Sequence, residues 1–199
     1  MQTCKLRTPI PEVEIRRLKV NDIVYITGKI VTARDQAHKR ALEYATQNKP
    51  LPLSLEGLAL FHCGPVISRR ENQWVVVAAG PTTSMRMEQY EADFIQKFKV
   101  RIIIGKGGMG EKTSEALAKY GAVYCAFTGG AGVLAAKAIK RVASVDWLDL
   151  GIPEALWVFE VEEFGPLLVA IDTWGNNLFI DITEKATVNR QRIFHALGI

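Results

Sequence analysis

Cysteine is scarce: Cys4, Cys63 and Cys125 are the only three in 199 residues, widely spaced and without a C-x-x-C pair. That excludes a disulfide framework and a zinc site. An iron-sulfur site needs several converging thiolates. Cys4 lies in a terminus expected to be mobile and Cys125 in an apolar run, so this chain is expected to bind no cluster and no metal itself. No apolar run reaches the ~18–20 residues of a bilayer span, and the opening MQTCKLRTPI lacks the apolar core of a secretory signal. A cytoplasmic protein with no membrane partner is expected. Basic blocks with interleaved aromatics are also missing, so nucleic acid is not the expected partner. No internal repeat or low-complexity segment divides the chain, and we read residues 1–199 as one domain. Its 48% hydrophobic and 23% charged residues are ordinary for a globular fold. Its net charge of +4 suits an anionic ligand or simple solubility.

What the chain does have is AGPTTSMRMEQYEADFIQKFKVRIIIGKGGMG, from Ala79 to Gly110. Two polar loops stand out there, each after an apolar run that reads as a buried strand, WVVVAA (Trp74–Ala79) and VRIII (Val100–Ile104). In an α/β sheet such strand-to-helix loops hold ligands, because the next helix directs backbone N–H groups outward. Both suit an anion. The first carries the hydroxyls of Thr82, Thr83 and Ser84 with Arg86; the second carries Lys106 among Gly105, Gly107, Gly108 and Gly110. A guanidinium grips a carboxylate with two parallel hydrogen bonds, and the lysine adds a compact charge. The chemistry points to a small, multiply charged acid.

Around this stretch the text alternates. EVEIRRLKV (Glu12–Val20) alternates apolar and charged residues and predicts a half-exposed strand, joined by a tight turn at Asn21-Asp22 to a second strand over Asp22–Thr32. RDQAHKRALEYATQ predicts a helix from Arg34, with Asp35 as its cap and His38 partly exposed one turn on. NKPLPLS (Asn48–Ser54) is a loop. GLALFHCGPVI (Gly57–Ile67) reads as a buried strand ending at Gly64-Pro65, in which His62 is a satisfied core histidine, and Arg69–Gln73 as a polar turn. Helices are predicted over Met87–Phe98 and Glu111–Tyr120, a strand at VYCAF, and a small-residue helix after Thr128-Gly129-Gly130-Ala131-Gly132. This repeat predicts a largely parallel α/β core for residues 74–140. The β-branched and aromatic text after Arg141 predicts strands that return to the N-terminal sheet, a β-rich lobe from both chain ends, with a closing helix over Thr183–Leu197.

GPTTSMRM (Gly80–Met87), GKGGM (Gly105–Met109) and TGGAG (Thr128–Gly132), in that order, resemble the β subunit of class I fumarase and L-tartrate dehydratase. The similarity runs from about Leu18 to near the C-terminus. It implies an α/β fold of the three-layer β/β/α swivelling type and a hydro-lyase that interconverts fumarate and malate, with L-tartrate dehydratase as the alternative. It further implies a separate α subunit carrying a 4Fe-4S cluster and a site completed between subunits. In TARD-x-AH the resemblance assigns Arg34 to a substrate carboxylate, beside Arg86 and Lys106. It places Thr82 at the proton-transfer position and lets Thr83 and Ser84 complete the cradle. Whether the isolated chain forms a homodimer is left open.

GKGGMGEKT (Gly105–Thr113) also resembles a P-loop, and LLVAID (Leu167–Asp172) a strand ending in a magnesium-binding aspartate. Against this, Glu111 intervenes between Gly110 and Lys112, turning the lysine about 100° around the helix and putting a carboxylate where phosphate would lie. A purely structural glycine turn and a non-catalytic binding module are the other readings.

Overall fold

A computed structural model describes residues 1–71 and 73–198. Apolar stretches bounded by glycine, proline or charge become the strands β1 (Thr3–Arg7), β2 (Ile23–Thr32), β3 (Ala59–Phe61), β4 (Val66–Arg70), β5 (Gln73–Ala78), β6 (Ile102–Gly105), β7 (Val123–Ala126), β8 (Ile139–Asp146) and β9 (Leu156–Ile171). The helices are α1 (Glu12–Ile15), α2 (Asp35–Thr46), α3 (Glu88–Phe98), α4 (Glu111–Tyr120), α5 (Gly132–Ala138) and α6 (Leu178–Ala196), with a single 3-10 turn at Ser84–Met87 leading into α3.

Seven strands make one sheet in the order β1-β2-β3-β6-β7-β9-β8. It is parallel from β1 to β7, and β9 then runs antiparallel to β7 and β8. β9 also pairs antiparallel with β2, from Ile23 opposite Leu168 to Val31 opposite Val158. The pairings β2-β3-β6-β7-β9-β2 therefore form a closed circuit. Side chains alternate across it, as the period of two requires. Ile102 and Ile104 join Phe61, Trp157, Phe159 and Phe164 in one core, while Ile103 joins Leu60, Phe94 and Leu117 in a second core beneath α2, α3 and α4. Fully burying each of these side chains stabilises the fold by roughly 1.5–3 kcal/mol.

The mixed α/β class is as expected, but several local expectations are corrected. Glu12–Val20 is not a strand. After Pro11 it forms α1 and a turn, which buries Ile15 and Leu18 three residues apart and pairs Arg16 with Glu12 across one helical turn. Apolar residues spaced for a short helix had the look of strand alternation. Asn21 does sit in a tight turn, at φ 75°. Cys4 lies in β1, paired with Val24, and not in a loose terminus.

WVVVAA is outside the parallel core: β5 pairs only with β4 in a two-stranded ribbon, and Trp74 packs edge-on against Trp157. Most of the expected Arg69–Gln73 turn is already strand, since Arg70 pairs with Gln73; Asn72 lies outside the described residues. β9 does return to the N-terminal sheet, pairing with β2, and β8 joins it at the edge by pairing with β9, within the main sheet and not as a separate lobe. The C-terminal helix forms but does not close on the body, because every described residue from Ile180 onward is exposed. No helix among the described residues is long and apolar enough to cross a membrane.

Candidate active site

The carboxyl ends of β2, β3, β6 and β7 lie side by side, and parallel pairing delivers the loops that follow them to one edge. Arg34 follows β2, Cys63 and Gly64 follow β3, Lys106 follows β6, and Thr128–Gly132 follow β7. This edge is where α/β sheets bind ligands. The Gly80–Arg86 loop is laid across it by backbone bonds. Thr82 N–H donates to the His62 carbonyl (2.6 Å), Lys106 N–H to the Thr82 carbonyl (3.2 Å), and Ser84 N–H to the Lys106 carbonyl (3.0 Å). The two loops that the sequence singled out are thus one bonded unit.

Their side chains divide into an outer and an inner set. Thr82 is half-buried, and Thr83, Arg86 and Lys106 are exposed. Arg86 Nη2 donates to Asp35 Oδ2 (2.5 Å), so Asp35 is an arginine partner and not the helix cap expected; Arg34 occupies the cap position, with no side-chain cap bond. Arg34 Nε lies 3.2 Å from Glu154 Oε1, and its guanidinium passes beside Gly64, where a Cβ would stand 2.5 Å from Nη1. Lys106 has no carboxylate within ion-pair reach among the described residues, and its stem runs beside Gly129 of the TGGAG loop. Arg34, Arg86 and Lys106 therefore gather at one edge, two of them already held by carboxylates.

Ser84 belongs to the inner set. It is fully buried, and its Oγ fills the place a Gly105 Cβ would take, 1.8 Å away. It meets His62 Nδ1 and Tyr124 Oη, each at 3.0 Å. Its hydroxyl serves the interior, not the open face of the cradle.

The first turn of α4 corrects the idea that the glycine loop offers free amides. Glu88 accepts from Gly110 N–H (2.7 Å), from Thr113 N–H (3.2 Å) and from the Thr113 hydroxyl (2.7 Å). A carboxylate already sits where a nucleotide phosphate would have to lie. Asp172 is fully engaged as well: it is buried and accepts from the backbone of Val20, Trp174 and Asn176 and from the Asn176 amide. The P-loop reading is set aside on these two carboxylates.

Sequence reasoning missed the group directly beneath the loops. His38, His62 and Glu91 are fully buried, with His62 Nε2 at 2.8 Å and His38 Nε2 at 3.3 Å from Glu91 Oε2. His62 is the core histidine expected. His38 is not the partly exposed one expected, because α2 packs it between Phe94 and the His62 ring. The signal lay in α3: Glu91 shares the helix face of Met87, Phe94 and Ile95, all buried, so a carboxylate there needs a partner. Burial works to raise the Glu91 carboxyl, but His62 and His38 outweigh it and hold it at about 2. Burial pushes the His62 imidazole down, against the pull of Glu91.

Among the described residues these three are the one convergent group of metal-ligating types; no cysteine joins it. Burial raises the Cys63 thiol to about 12 and also raises that of Cys125.

The sequence model described as "Fumarase C-terminus" matches residues 1–182. The chain belongs to that family. It is 45% identical over 176 residues to the L(+)-tartrate dehydratase subunit beta of Escherichia coli, covering 88% of this chain and 86% of that protein. A putative L(+)-tartrate dehydratase subunit beta of Methanocaldococcus jannaschii is 44% identical over 173 residues, 86% of this chain and 89% of that protein. A putative class I fumarate hydratase of Geobacillus stearothermophilus is 45% identical over 186 residues, 93% of this chain but 35% of that much longer protein. The family's members thus include both separate subunits and a segment of a single chain.

Proposed function

We propose that this chain is the β subunit of a hydro-lyase that reversibly hydrates fumarate to malate. The observation that carries the reading is the gathering of Arg34, Arg86 and Lys106 around Thr82 on one strand edge. The names of the two tartrate dehydratase relatives favour L-tartrate as a second reading, with the same cradle and one more substrate hydroxyl. The swivelling β/β/α architecture and a cytoplasmic location belong to the same proposal.

Removing a β-hydroxyl needs a Lewis acid on the leaving group and a base for a weakly acidic carbon-bound proton. A 4Fe-4S cluster on a separate α subunit would supply the Lewis acid. This chain's part is to bind and orient. Arg86 and Lys106 grip the carboxylates, with Arg34 beside them, and their charge stabilises the negative charge that builds up in the transition state. Asp35 and Glu154 hold the two guanidinium groups at the edge before substrate arrives. Thr82, with its backbone bonded to both His62 and Lys106, presents its hydroxyl at the proton-transfer position, and Thr83 lies beside it. The Ser84 hydroxyl holds the loop from within.

The test is the enzyme assembled with its α subunit, assayed on L-malate and L-tartrate. Lys106→Ala should lower kcat/KM roughly 100-fold, as expected for one lost charged contact of up to about 3 kcal/mol. Lys112→Ala, on the exposed side of α4, should stay within twofold. Equal activity in both variants would overturn the assignment. The ratio of kcat/KM on the two substrates decides between them.

A further inference from the structure

The hydrogen-bond partners of Ser84 and its neighbours fix where the protons lie. Tyr124 Oη is 2.8 Å from the Gly107 carbonyl, which can only accept, so the phenol donates there. The Ser84 hydroxyl must then donate to Tyr124, and Ser84 Oγ accepts from His62 Nδ1–H. His38 Nδ1, 2.8 Å from the Arg34 carbonyl, carries a proton for the same reason. Both imidazoles are therefore protonated on the side away from Glu91, and both Nε2 atoms face its carboxylate.

Neither Nε2 and neither carboxylate oxygen has a hydrogen-bond partner outside this trio. Two neutral imidazoles would leave lone pairs confronting an unpaired buried charge, which costs several kcal/mol. One added proton removes the conflict at one of the two contacts. The shorter contact, 2.8 Å to His62 against 3.3 Å to His38, locates it between Glu91 and His62, where direct contact with the carboxylate outweighs the burial that by itself pushes the imidazole down. The groups facing the pair are His38 and Asp35 from α2, Tyr90 from α3, Ser84 from the 3-10 turn and Tyr124 from β7. Asp35 favours the added positive charge and His38 opposes it.

We propose that His62 and Glu91 are positioning residues: they share one proton and, through Ser84 and Tyr124, lock the Thr82–Arg86 loop to the Lys106–Gly107 loop. The chain of donors starts at His62, which also donates to Glu91, and runs through Ser84 and Tyr124 to the Gly107 carbonyl. A cationic donor at its head strengthens every later bond. Its effect on catalysis rests on the proposed function; its existence does not.

The chain has three histidines, and His195 on exposed α6 serves as a solvent reference. In the isolated chain, labelled with 15N at histidine, His62 should keep slowly exchanging protons on both ring nitrogens at pH 7–8, and His38 on Nδ1 alone. Glu91→Gln should remove the His62 Nε2 proton and spare Nδ1. Amide exchange at Thr82 and Lys106 should quicken about tenfold in Glu91→Gln, in Ser84→Ala and in Tyr124→Phe, which removes only the terminal hydroxyl. In the assembled enzyme, Glu91→Gln and Ser84→Ala should each cost roughly tenfold in kcat/KM. The double variant should lose no more than the worse single one, as links of one chain do.

A single ring proton on wild-type His62, one tightly bound metal ion per chain, or losses that multiply in the double variant would each overturn the proposal. Normal spectra and exchange in an enzyme that acts on neither diacid would instead uphold the network and overturn the proposed function.

Discussion

At the carboxyl edge of β3 and β6 the inner polar groups are bonded to one another: Thr82, Ser84 and Lys106 are joined through their backbones, and Ser84, His62 and Tyr124 through their side chains. In α6, by contrast, Ile182, Val188, Ile193 and Phe194 all stand exposed, as does Leu197 just after it, and the helix buries none of its residues. Asn177 caps it by accepting from Phe179 N–H and Ile180 N–H, Leu178 and Phe179 pack against the second core, and from Ile180 onward the exposed helix rests on local bonding. The edge is specified by tertiary contacts and α6 by propensity and a cap. Substitutions should therefore be costly at the edge and nearly silent in the helix.

The sharpest way to break the contrast is Gly105→Ala. The added methyl would stand 1.8 Å from Ser84 Oγ and 3.2 Å from Tyr124 Oη, among groups that cannot retreat. A loss of about 3 kcal/mol is expected, a fall of roughly 6–12 °C in the thermal midpoint for a chain of this size. A midpoint within ~2 °C of wild type would show that the interior is looser than its bonds suggest.

Next comes Glu88→Ala, which strips the first turn of α4 of its acceptor and leaves Gly110 N–H and the buried Thr113 hydroxyl without a partner. Denaturant unfolding should register about 2 kcal/mol. No change would mean that water caps the turn equally well. The smallest effect is expected from Ile193→Ser in α6, within ~0.5 kcal/mol in the isolated chain, as for an exposed side chain. A substantial loss there, growing with protein concentration, would reveal that the helix packs against a second copy in solution.

Much of this was legible in the sequence because local and global signals agreed. Ile102–Ile104 is apolar on both faces, as a central parallel strand must be, and the glycines after it mark the turn that brings Ser84 close. The cations could be read from composition at a loop. What was illegible depends on distance through space. Asp35 at a helix start is a cap by every local rule, yet Arg86, far along the chain, claims it. Glu91 looks like any polar residue of a surface helix until α2 and the end of β3 enclose it. The alternation in Glu12–Val20 and the apolar run of β5 misled because a period of two, or a short run of valines, does not say which partner it will meet.

The β2-β9 pairing has a kinetic side as well. β2 leaves the ribosome early and β9 late, and the circuit cannot close until Leu167 and Leu168 reach Val24 and Ile23. Until then the long edge of β2 is unpaired. Such distant pairing makes for slow folding and for intermediates with exposed strand edges. Refolding from denaturant should therefore be slow, and a nascent chain stopped short of Leu156 should be prone to aggregate through the edge that β9 would have covered.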